Sequence, residues 1–191
     1  MSEKAVTVMF AVVIIMGGCT GLPLGGEIKD STKYDPDHVS QSEIPNLTLS
    51  EIEDAIADQI NEVRTSHSLV ELDSGNEALL YLARNHSSNM MQFDSISHSI
   101  PEMGRGFNDR LDRLGQRCIE GHENLAQVYW GSLPQGGAGI YNASMMADMV
   151  VDGWMSSQPH RENLLEKNLN EQVIGVYATN ESVYVTQIAC V

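Results

Sequence analysis

The sequence predicts an α+β domain, on three observations. Apolar residues recur at helical spacing through the first part of the folded region, β-branched runs close the chain, and a tight-turn signal separates the last two of those runs. Ser50-Glu51-Ile52-Glu53 has the form of a capping box, and Ile52, Ile56, Ile60 and Val63 then make one helical stripe. Ser74-Gly75-Asn76-Glu77 has the same form. Leu79, Leu82, Ala83, His86 and Met90 follow on one face of a second helix. A short third helix is expected from Phe107 to Leu114, stopped by Gly115. A fourth, from Asn142 to Ser157, sets Met146, Ala147, Val150 and Trp154 on one side and ends at Pro159. Val173 to Thr179 and Ser182 to Ala189 read as strands joined through Asn180-Glu181, and an earlier strand is expected from Glu123 to Tyr129.

The residues before this region form no core. Ala5 to Met16 is an apolar run behind Lys4, about 18 Å long as a helix and too short for a ~30 Å hydrocarbon layer. It reads as the h-region of a signal peptide. The run ends in Met16-Gly17-Gly18-Cys19, which looks like the lipobox of bacterial and archaeal lipoproteins, with Cys19 as the residue that would take the lipid. Thr20 to about Leu47 is rich in Gly, Pro, Asp and Ser and keeps no apolar period, as a solvated tether would. The expected organisation is a lipoprotein signal peptide over residues 1–18, a tether from lipidated Cys19 over 19–48, and one folded domain over 49–191. That places the domain on the extracellular face of the cell membrane, lipid-anchored or secreted.

Charge narrows the partners. Of 191 residues, 26 are acidic and 11 basic, a formal net charge of -15, and no basic stripe offsets the field. Phosphate backbones would be repelled, so nucleic-acid binding is disfavoured.

Three short patterns carry possible chemistry: His98 in SISHSIP after the second helix, GHENLA from Gly121 to Ala126, and WMSSQPHRENLL from Trp154 to Leu165. Singly they are weak. A loop histidine is usually a surface residue, a Glu-Asn pair at a strand start usually a turn-former, and a tryptophan at helical spacing usually core. His122-Glu123 does not open a zincin motif, because Ala126 stands where the second histidine would be.

Together and in this order, the three patterns resemble the signature of the CAP superfamily, the cysteine-rich secretory, antigen and pathogenesis-related proteins, and in particular its microbial SCP-like extracellular branch. The resemblance runs from about Leu49 to Val191 and implies a three-layer α-β-α sandwich with a small, mainly antiparallel sheet. By position, it implies a cleft holding His98, Glu123 and His160, the two histidines able to carry zinc or another divalent metal. Neutral imidazoles suit such a cation, and a nearby carboxylate can act as orienting group or base. If any residue were catalytic it would be Glu123. A further cleft position that is Glu in the animal and plant branches is Ser157 here, which removes a candidate base. Because His160 would point inward, Arg161 is expected to be structural, tied to a carboxylate or to carbonyl groups.

Cys118 could act as a thiol nucleophile, but two cysteines left over in an exported protein read better as a Cys118–Cys190 disulfide. Of four Asn-x-Ser/Thr triplets, those at Asn46 and Asn180 fall outside expected helices and are the better glycosylation acceptors. The function expected from all this is a module that binds an extracellular ligand or protein through its cleft, anchored to the membrane by its N-terminal lipid. A metal-dependent, peptidase-like hydrolase and a carrier of lipids or sterols are the alternatives.

Overall fold

A computed structural model describes residues 47–100, 106–113, 115, 118–130, 140 and 142–191. The signal peptide, Cys19, Asn46 and all but the last two tether residues lie outside the described residues.

The first helix, α1 (Leu49–Ser66), starts two residues earlier than its sequence suggests. Thr48 is the N-cap, accepting from the Glu51 amide at 3.2 Å, while Glu51 returns its carboxylate to the Thr48 amide at 2.8 Å. Ser50 instead reaches Asp54 within the first turn. The capping box is therefore Thr48–Glu51, two residues before the one read from the sequence, because a threonine serves the same role as a serine. Likewise Asn76 rather than Ser74 caps α2 (Glu77–Gln92), accepting from Leu79 at 3.2 Å. A short α3 (Phe107–Arg113) precedes Gly115, whose φ of 64° suits glycine; the expected last residue, Leu114, lies outside the described residues.

Strand β1 (Gly121–Tyr129) begins two residues before Glu123, since Gly121 and His122 pair with Cys190 and Ala189. Helix α4 (Ala143–Ser156) then leads directly into α5 (Gln158–Leu164). Pro159 ends the first of these, as its missing N–H predicts, but it also starts the second. At a helix's first positions that donor would have no partner anyway. The sequence reading had the stop and missed the restart. Strands β2 (Glu171–Ala178) and β3 (Ser182–Cys190) form the expected hairpin, closed by Thr179, whose amide donates to Ser182 O at 2.8 Å and whose hydroxyl accepts from the Glu181 and Ser182 amides.

The sheet has the order β1-β3-β2, antiparallel throughout. Its two faces bury different layers. Ala126, Val128, Ile174, Val176, Val183 and Val185 meet Ile52, Ile56, Ile60, Val150 and Trp154 from α1 and α4. On the opposite face Val173 and Ile188 meet Leu79, Leu82 and Ala83 from α2, and Leu125 and Tyr184 meet Met90 and Ile100. This is an α-β-α sandwich. Covered on both faces, the central strand β3 is buried at every residue, which is why its sequence lacks a polar alternation. Helix α2 lies so close to β2 that a Cβ on Gly175 would stand 2.2 Å from backbone atoms of Ala83 and Arg84.

Two devices fasten the sheet's ends. Cys118 and Cys190 form the expected disulfide, with α-carbons 5.2 Å apart, which joins the segment before β1 to the end of β3. A polar chain crosses beneath α1: Asn124 donates to Gln187 at 2.9 Å, Gln187 to Gln172 at 3.0 Å, and Gln172 to the Ala57 carbonyl at 3.3 Å. All three side chains are buried and each amide is partnered, as a buried network must be.

Candidate functional site

The site lies along β1, an outer strand of the sheet, where loops from both helical layers meet. Glu123 leaves β1 on the α2 side, in register with Ile188. Its side chain is 2% exposed, and both oxygens are engaged. Oε1 accepts from His98 Nδ1 at 2.9 Å, and Oε2 accepts from Arg110 Nη2. Because an ionised carboxylate only accepts, the His98 proton sits on Nδ1 and its Nε2 carries the lone pair. Burial pushes the Glu123 carboxyl up, but the His98 hydrogen bond and the nearby cations outweigh it, and the group stays below the usual carboxylate range. His86 is 4.0 Å from Oε1, but its own pKa is pushed down to about 4 by burial. The His98 hydrogen bond lowers Glu123 most, and the charges of His86 and Arg110 add to it.

His98 sits in a loop that the chain builds with its own short polar residues. Asp94 takes a positive φ at the end of α2, and the Ser95 amide turns back to Met90 O at 3.0 Å. His86 Nε2 donates to Ser97 O at 3.0 Å, and Ser97 and Ser99 bond reciprocally. Ile100 then plugs into the core. With both ends held, the His98 side chain remains 56% exposed while its Nδ1 is fixed on a buried carboxylate.

His160 comes from the opposite layer, in the first turn of α5. The Asn124 side chain holds its carbonyl at 3.2 Å, and Asn163, bonded to Asn124 at 2.8 Å, ties the same helix to β1. The His160 ring is half-buried; its Nδ1 is fully buried and has no hydrogen-bond partner. Burial and then the charge of a protonated His98 hold its pKa below the ordinary histidine value. Ser157 caps the junction of α4 and α5 without a side-chain cap bond, and no hydrogen bond links it to the other three residues. Arg161 donates to Met155 O at 2.7 Å, a tie within its own helical layer.

Arg110 and His86 were missed from sequence. His86 was visible only as an apolar-face residue of a helix. Arg110 stands in a short helix with no motif around it, and only the fold brings it to Glu123. Its ring-stacking neighbour Phe107, 5.9 Å from the guanidinium carbon, was the one available hint.

The sequence profile of the cysteine-rich secretory protein family matches residues 57–189. The chain belongs to the CAP family. Solved structures agree on the fold. An extracellular protein containing an SCP domain from Bacillus anthracis superposes with a TM-score of 0.59 at 23% identity, covering 83% of this chain and 44% of that one. An outer surface protein from Borrelia burgdorferi gives 0.58 at 18%, covering 74% and 92%. A cysteine-rich secretory protein from Staphylococcus aureus gives 0.52 at 19%, covering 76% and 40%. The chain thus spans less than half of the Bacillus and Staphylococcus proteins. No curated protein matches it in sequence. Among the described residues no helix is long and apolar enough to cross a membrane.

The residues suit a divalent cation to a limited degree. His98 offers Nε2 from an oriented ring, and His160 offers a buried nitrogen with no other partner. No group of three or more His, Cys, Asp or Glu side chains able to hold a metal occurs among the described residues. An ion here would have two imidazoles and would need water or ligand atoms to complete its shell.

Proposed function

We propose that this CAP domain is an extracellular, membrane-anchored binding module whose cleft takes a ligand or partner protein beside His98, Glu123 and His160. His98 and His160 would hold zinc or another divalent metal. The lipid on Cys19 would supply the membrane attachment, and the likeness to an extracellular protein and an outer surface protein supports that side of the membrane. Bound metal would supply open coordination positions to a ligand's oxygen or nitrogen atoms. The protein's own part is to orient: Glu123 fixes the His98 ring, and Asn124 and Asn163 fix the helix carrying His160.

The observation that carries a binding role over a hydrolytic one is the state of Glu123. Both oxygens are occupied, one by an arginine, so it is an orienting acceptor and not a base free to take a proton from water. Ser157 supplies no second carboxylate.

Zinc uptake tests this reading. Chelator-treated full chain is expected to bind one zinc in calorimetry, and His98→Ala with His160→Ala is expected to abolish it while the thermal transition persists. Unchanged stoichiometry in the double variant would overturn the metal assignment. Hydrolysis of a peptide library by the zinc-loaded wild type would overturn the non-enzymatic one.

A further inference from the structure

We propose that Arg110 is the positioning residue of the cleft: one guanidinium fixes both the ring and the backbone of His98. Nη2 donates to Oε2 of Glu123, the carboxylate whose other oxygen accepts from His98 Nδ1. Nη1 donates to the backbone carbonyl of His98 itself at 2.8 Å. The two contacts close a ring of bonds from Arg110 through Glu123 to the imidazole and back through the main chain. The carboxylate stops the imidazole from rotating, and the carbonyl bond adds a hold at His98 itself to a loop tied at its ends. Together they aim Nε2 at the cleft.

The arginine is built for this task. It is 8% exposed, its Nε has no hydrogen-bond partner, and its guanidinium lies over the Phe107 ring, so its orientation is set by packing. Lysine could reach one of the two acceptors but not present a planar fork to both. The other cleft-side arginine, Arg161, differs in kind, since it reaches only Met155 O.

This inference rests on His98 being a ligand-facing histidine, and its test separates the two ideas. Long-range proton–nitrogen correlation on the labelled full chain reads the His98 tautomer, with the signal assigned by its loss in His98→Gln. Zinc affinity is measured in parallel. Wild type is expected to carry the proton on Nδ1. Arg110→Met and Arg110→Lys are expected to lose that single tautomer and to bind zinc on the order of 10–100-fold more weakly, as loss of a group orienting a ligand does. Arg161→Ala, a comparable loss of one arginine contact, is expected to keep both readings. Wild-type tautomer and affinity in both Arg110 variants would overturn the proposal. So would a native protein with the His98 proton on Nε2, an outcome that needs no variant to fold. If wild type takes up no zinc, the metal reading fails by itself. The tautomer then decides on Arg110: lost in the variants it supports positioning, kept it overturns it.

Discussion

The two edges of the sheet each bury a glutamate against an arginine, and they put the pair to different uses. At the β2 edge, Glu53 of α1 accepts from Arg84 of α2 and, at 3.0 Å, from the Val176 amide. An outer strand's unpaired N–H is thereby closed off, and the two helical layers are joined around the edge. At the β1 edge, Glu123 also accepts from an arginine, but its other oxygen goes to an exposed imidazole. The first pair spends its spare acceptor on the backbone and ends there. The second passes its orientation to a side chain that faces solvent. The chemical pair is the same, and its third partner differs: a backbone amide in one, an exposed imidazole in the other.

The electrostatic balance differs as well. Burial pushes the Glu53 carboxyl up, and Arg84 and Val176 offset this only in part. The Arg84 side chain is 26% exposed and shares its charge with water, whereas the Arg110 side chain is 9% exposed. Around Glu123 the His98 hydrogen bond, the His86 charge and the drier Arg110 together outweigh burial and hold the carboxyl on the other side of the ordinary value.

The largest expected effect breaks both edges together. Helix α2 carries Arg84 for one pair and His86 and the His98 loop for the other, and it rests on Gly175. Gly175→Ala puts a methyl 2.2 Å from two backbone atoms of that helix. Backbone cannot step aside as a side-chain tip can, so a loss above about 4 kcal/mol is expected, read as collapse of the denaturant midpoint. A variant as stable as wild type would show that α2 floats on the sheet and that neither pair depends on its seat.

A disulfide cut separates the edges. The bridge spans 72 residues, and its removal by Cys118→Ser with Cys190→Ser is expected to cost about 4 kcal/mol in the chain-entropy model. Cys118 follows α3, which carries Arg110, so the damage falls on the β1 edge. Hydrogen exchange should rise at the Arg110 and His98 amides and stay low around Glu53. Equal rises at both edges would mean the bridge acts on the whole domain and not on the site.

The smallest effect is the sharpest, because its sign differs between the two carboxylates. Glu123 is lowered in the fold, so its stabilisation is present above 4.5 and is lost as pH falls through its folded pKa. Glu53 is raised, so its contribution is fullest below 4.5 and declines as pH rises through its folded pKa. Each is worth about 1.4 kcal/mol for every unit of displacement. Stability curves of wild type minus Glu123→Gln and of wild type minus Glu53→Gln are therefore expected to slope in opposite directions across mildly acidic pH. Parallel slopes would mean that the two pairs are electrostatically alike.

Much of this was readable in advance, for definable reasons. Helical stripes such as Ile52, Ile56 and Ile60 and the β-rich run from Ser182 to Ala189 are local patterns with a single burial consequence, so they named the layers and the sheet. The hairpin at Asn180-Glu181 is likewise local. His98, Glu123 and His160 could be picked out because each sits in a short motif, even though they lie on a loop, a strand and a helix. Exact helix starts were less legible: Thr48 and Ser50, or Ser74 and Asn76, are equally good caps on paper, and only the packing of the first turn selects between them.

The sequence by itself determined the class of fold and the order of its elements and singled out three candidate site residues, because spacing and motif are properties of adjacent residues. The tertiary structure alone decided what those residues do to one another. Arg110 is 13 residues from Glu123 and 12 from His98, in a helix with no signature, and no periodicity could have aimed it at both. Nor could the sequence tell that Glu53 and Glu123 would lie on opposite sides of their ordinary pKa. Those shifts are set by burial, by hydrogen bonds and by neighbouring charges, all of which exist only once the layers have closed.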